Sequence, residues 1–119
     1  MSIIAKIAIG IIAIEYIYIL WLEMFAWTTR ARKVFPLPKD LFEPTKTMAA
    51  NQGLYNGFLA AGLIWSLLIS NLEWSQNIAL FFLGCVLVAG LYGGLTVSKR
   101  ILAVQAVPAL IAILFVLFV

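Results

Sequence analysis

The chain has 119 residues, a net charge of +3 and no histidine, and 65% of it is hydrophobic against 11% charged. With a mean hydropathy of +1.09, this excludes a soluble globular domain, which at this length has too little interior to hide so much apolar surface. The lack of histidine and the single cysteine, Cys85, also argue against a zinc or haem site and against an intrachain disulfide, so no metal or cofactor is expected.

Lipid solvates such a chain provided that its backbone polar groups are satisfied internally, which helices achieve within each span. The expected fold is therefore all-α, an integral membrane four-helix bundle forming a single domain over residues 1–119. Its helices are placed at about 3–27, 45–69, 78–97 and 101–119, each near the roughly 20 residues needed to cross the hydrocarbon.

The first run, residues 3–27, is expected to be retained rather than cleaved as a signal peptide. Glu15 interrupts it, no small-residue cleavage site follows, and hydrophobicity resumes through Leu22. Residues 28–44 then break the pattern with Arg30, Arg32, Lys33, Lys39 and three prolines, Pro36, Pro38 and Pro44. This stretch reads as a loop on the membrane surface, with Pro44 suited to open the next helix. In that helix Gly53 and Gly57 form a GxxxG pattern extended by Ala61, a small-residue stripe for close packing against a neighbour in this chain or another.

Residues 70–77 carry Glu73 and Trp74 but no lysine or arginine, and read as a short external turn. The third helix contains Gly84, Gly90, Gly93 and Gly94, again a packing face rather than a phosphate loop. Lys99 and Arg100 precede a final span that Pro108 is expected to kink. Basic residues in connections one and three, and none in connection two, predict a multi-pass protein with both termini external. That distribution also removes any reason to invoke a nucleic-acid partner; membrane lipids are the expected surroundings.

Antiparallel spans allow depth to be compared by counting from the basic ends at about 1.5 Å per residue. Glu23, Asn51, Gln52, Tyr92 and Gln105 then fall in one layer, with Tyr55 and Asn56 slightly deeper and Glu15 near the middle of its span. A carboxylate at that depth is costly when ionised and has no basic residue at matching height, which suits a proton-linked site. These eight residues are the candidates for binding a small-molecule ligand or moving a proton. Glu15 and Glu23 are about 12 Å apart along one helix, too far for a paired-carboxylate dyad, and no His, Cys or Asp constellation announces catalysis. No catalytic residue is assigned, and the reading leans away from an enzyme.

The stretches EMFAWTT (residues 23–29), AANQGLYNGFLAAGL (49–63), the segment 84–94 and QAVPA (105–109) make the chain resemble the small bacterial inner-membrane family known as domain of unknown function 1304. The resemblance spans nearly the whole chain, implies a four-span architecture in the inner (cytoplasmic) membrane, and supplies no catalytic residue. The expected function is a small transporter or ligand-binding membrane protein with a polar intramembrane pocket, proton-coupled through Glu15 and assembled as a homo-oligomer through its glycine faces. The alternative is a structural or accessory subunit of a membrane complex, whose polar residues serve only helix packing. A lipid-modifying enzyme ranks third.

Overall fold

A computed structural model describes all 119 residues, Met1–Val119, and consists of helices and turns without strands. Helix α1 spans Ile3–Met24. The Ser2 hydroxyl caps it by accepting from the Ala5 N–H at 3.2 Å, satisfying one of the donors that a helix start leaves open. At its far end the N–H groups of Phe25 and Ala26 both reach the Trp21 carbonyl, at 2.9 and 3.1 Å, and the helix unwinds. A one-turn α2 (Ala31–Val34) and a 3-10 turn (Lys39–Leu41) lead to α3, Lys46–Leu68.

Helix α4 covers Leu72–Thr96 and begins six residues earlier than its apolar run alone predicts. The reason is Asn71, whose side-chain oxygen accepts from the Trp74 N–H at 3.0 Å, with Glu73 in the first turn complementing the helix dipole. Two serines secure this turn: the Ser75 hydroxyl donates to the Ser66 carbonyl at 2.7 Å, and the Ser66 hydroxyl to the Leu63 carbonyl at 2.6 Å.

The final helix is continuous but irregular, with α5 (Lys99–Ile101), a π-helical segment (Leu102–Ala106) and α6 (Val107–Phe118). Pro108 accounts for this form. It has no N–H to donate and its ring crowds the carbonyl four residues back, so the ladder shifts to wider spacing just before it, with the Val107 N–H bonded to the Leu102 carbonyl.

The long helices pack in a closed ring, α1 beside α3, α3 beside α4, α4 beside the last helix, and the last helix back against α1. Ala5, Ile9, Ile12, Ala13 and Tyr16 recur at helical spacing on the inner face of α1. They meet Ala60 and Leu63 of α3, Leu83 and Val86 of α4, and Ala109, Ala112 and Val116 of α6. Small residues let the helices approach. A Cβ at Gly57 would strike the Leu20 side chain, one at Gly62 the ring of Phe82, and one at Gly94 the Leu102 side chain. The GxxxG pattern thus faces α1 of the same chain.

Outward faces remain apolar, with Ile3, Ile7, Ile11, Ile14, Phe81 and Phe118 all exposed. Three helices, Ile3–Met24, Leu72–Thr96 and Lys99–Phe118, are long and apolar enough to cross a membrane. Helix α3 is as long, but it opens with Lys46, Thr47, Asn51 and Gln52 and is not among the three.

The connection between α1 and α3 differs from an open surface loop. It folds into a cap with its own core, in which Leu22, Ala31 and Phe42 are fully enclosed by Trp27, Val34, Phe35 and Leu37. The Trp27 ring packs on Phe42 at 4.9 Å and its indole N–H donates to the Thr45 hydroxyl at 3.0 Å. Arg32 staples the turns by donating from Nε to the Thr28 carbonyl at 2.7 Å and from Nη1 to the Lys39 carbonyl at 2.9 Å. Its guanidinium also lies 5.4 Å from the centre of the Phe42 ring, within cation–π range.

A candidate functional site beside Glu15

The polar residues of the long helices form two pairs and one open cavity. On α1, Glu23 is 2% exposed, and its Oε1 accepts from the Asn56 side-chain amide of α3 at 2.6 Å. Gly53 makes the approach possible, since a Cβ there would sit 3.0 Å from that of Glu23. One turn-pair deeper, the Tyr16 hydroxyl donates to Gln105 Oε1 on the last helix at 2.9 Å. Each contact satisfies a polar group that hydrocarbon would otherwise leave unpaired.

Glu15 is different. Its Oε1 is buried and has no hydrogen-bond partner. The side chain contributes to the wall of a cavity of about 320 Å³, whose other polar contributors are Tyr18, Ser98, Arg100 and Gln105. Ile19 and Leu22 of α1, and Val97, Ile101 and Val104 near the start of the last helix, supply apolar walls. The cap closes one side with Val34, Phe35 and Pro36. The volume lies at the lower end of the roughly 300–1,000 Å³ range of small-molecule sites, and an apolar lining with a few converging polar groups is their usual composition.

The cavity lies toward one end of the molecule, where the α1 terminus, the cap and the start of the last helix meet. That end carries Arg30, Arg32, Lys33, Lys39, Lys46, Lys99 and Arg100. Glu15 stands nine residues before the end of α1 at Met24, about 13 Å along the helix. Arg100 belongs to the first turn of the last helix.

Of the residues singled out from sequence, Glu15 and Gln105 share the cavity wall, while Glu23 and Asn56 pair with each other at the α1–α3 contact, away from it. Asn51, Gln52, Tyr55 and Tyr92 point outward and are exposed, Tyr55 by 62% and Tyr92 by 61%. Equal depth did not bring these four together because each occupies an outer face of its helix. Four contributors, Tyr16, Tyr18, Ser98 and Arg100, escaped the sequence reading. Tyr16 was indistinguishable from neighbouring apolar positions except by its hydroxyl, and Arg100 read as a topological charge. The signal for Tyr16 was present: it shares the inner stripe of Ile9, Ile12 and Ala13.

No candidate metal site emerges, because no three acidic, histidine or cysteine side chains converge. Comparison with known proteins adds a relative and a family. The chain is 34% identical over 117 residues to the uncharacterized protein YpaA of Lactococcus lactis subsp. lactis (strain IL1403), covering 96% of this chain and 97% of that one. No solved structure matches it. Residues 10–117, which include both polar pairs and the whole cavity, match the family model described as protein of unknown function (DUF1304), and the chain belongs to that family.

Proposed function

We propose that this chain is a four-span protein of the bacterial inner membrane that binds a small molecule in the cavity beside Glu15 and moves it in exchange for a proton. One observation carries the reading: Glu15 lines a cavity of ligand size and has a buried carboxylate oxygen with no hydrogen-bond donor. An uncompensated carboxylate within a span is neutralised by a proton or by a cation. A cationic group entering the cavity therefore replaces a proton on Glu15, and the two compete for one site. Helix α3, seated between α1 and α4, is assigned as the fourth span. The basic end is assigned to the cytoplasm, which puts both termini outside and the cavity in the cytoplasmic leaflet.

Glu23 has a different role in this proposal. Its amide partner supports a packing function, joining α1 to α3. The test is proton release from protein reconstituted in liposomes, read with a pH-sensitive dye on adding a series of alkylamines. The parent and Glu23→Gln are expected to release protons with similar amplitude, and Glu15→Gln to release none. Equal signals in Glu15→Gln and the parent, or no signal with any amine, would overturn the proposal.

A further inference from the structure

The cavity has a second charge that the proton-exchange reading does not use. Arg100 lines the same wall system as Glu15. Its only hydrogen bond beyond the helix ladder is made by its backbone N–H, to the Ser98 hydroxyl at 3.3 Å, leaving the guanidinium without a protein partner. The carboxylate and the guanidinium do not neutralise each other, because they sit at different depths. Gln105, which Tyr16 reaches, marks the level of Glu15 on the last helix, and Arg100 lies five residues, about 7.5 Å, nearer that helix's start. Between the two levels the walls are mainly apolar, built from Ile19, Leu22, Ile101 and Val104, with Tyr18 the polar residue of α1 at that height.

We propose that the ligand is a zwitterion whose ammonium and acidic groups are separated by an apolar chain, with the ammonium on Glu15 and the acid on Arg100. This inference rests on the reading of the Glu15 cavity as a ligand site and names the class of molecule that fills it. Three features select that class. The unpartnered carboxylate oxygen calls for an N–H donor at the deep end. The free guanidinium matches a carboxylate or phosphate in two-point hydrogen bonding at the shallow end. The apolar walls between them reject a molecule whose two charges are adjacent, so an α-amino acid engages one end only. The polarity also discriminates against a membrane phospholipid. In phosphatidylethanolamine the ammonium lies outside the phosphate, the reverse of the order in which the cavity presents its partners.

The test is calorimetric titration of the full chain in phosphatidylglycerol nanodiscs, which contribute no amine. The probes are 8-aminooctanoate, octylamine, octanoate, glycine and dihexanoyl phosphatidylethanolamine. The expected order has 8-aminooctanoate binding at least tenfold more tightly than octylamine or octanoate, and glycine not detectably. Arg100→Gln is expected to bring 8-aminooctanoate to the affinity of octylamine without altering octylamine itself. Lys99→Gln, which removes a neighbouring charge outside the cavity, should change neither. Octylamine and 8-aminooctanoate binding equally, with binding lost in Glu15→Gln, would overturn the zwitterion and leave the Glu15 site standing. Tighter binding of the phosphatidylethanolamine probe would overturn it in favour of a lipid headgroup. Absence of saturable binding by every probe would remove both this inference and the ligand site it rests on.

Discussion

Replacing Gly90 by alanine tests how closely α4 and the last helix approach. A Cβ at position 90 meets the backbone nitrogen of Ala106 at 2.6 Å, and its Cα and Cβ at 3.0 Å. Ordinary contact begins at 3.4 Å, so the last helix must retreat by about 0.8 Å, the difference between 3.4 and 2.6. The obstacle is main chain in the π-helical segment, which cannot swing aside as a side chain does. Overpacking of this kind costs about 1–3 kcal/mol, opposed by the gain of about 1 kcal/mol that alanine has over glycine as a helix former. Gly84 lies on the same helix with nothing within 4 Å of its Cβ position, so Gly84→Ala has the propensity gain alone. Comparing the two variants cancels propensity. Gly90→Ala is expected to be less stable than Gly84→Ala by about 1–3 kcal/mol, read from SDS-induced unfolding in mixed micelles followed by far-UV circular dichroism. Equal stabilities would refute the close contact between Gly90 and Ala106 and the packing of the π-helical segment on α4.

The other interhelical contacts yield further expectations. Asn56→Ala leaves Glu23 buried without its donor and should destabilise the protein by about 1–3 kcal/mol. The same change in a Glu23→Leu background, which has no acceptor, should cost less, and an identical cost in both backgrounds would show that the two side chains do not interact. Tyr16→Phe removes the hydroxyl bonded to Gln105 and should cost about 0.6 kcal/mol, with about 1.7 as the upper end for contacts of this kind; in a Gln105→Leu background the hydroxyl should no longer stabilise. Phe42→Ala empties the centre of the cap at a cost of about 3–5 kcal/mol. Limited trypsin digestion should then cleave after Arg30, Lys33 and Lys39 faster than in the parent, and unchanged rates would contradict a folded cap.

The pairing of EMFAW with NQGLYNG was legible because both stretches flank one connection. Antiparallel neighbours place residues equally distant from that connection at equal depth. Counting from that connection sets Glu23 level with Asn51 and Gln52, whereas the partner it meets is Asn56, which the count places slightly deeper. Depth alone does not choose a face, however, and Asn51, Gln52 and Tyr55 share the level of that contact while pointing away from it. The Asn71 cap was not anticipated: residues 70–77 read as a turn because an apolar run marks only the part of α4 that is uniformly hydrophobic.

By itself the sequence determined that the chain is helical and built for lipid, since 65% hydrophobic residues in 119 positions leave no soluble alternative. It also determined that the basic residues gather in two connections and that Glu15 falls near the middle of the first helix with no basic residue at matching height. Only the tertiary structure decided what those residues meet. The GxxxG pattern faces α1 because Gly57 receives Leu20, and the proline-rich connection folds over Phe42 instead of lying open. Glu15, Gln105 and Arg100 share one cavity although up to 90 positions separate them in sequence, from 15 to 105. Such contacts depend on the rotation and crossing of whole helices, set by small residues on several surfaces at once. Local spacing fixes which face of a helix a residue occupies, and packing alone fixes what stands opposite it.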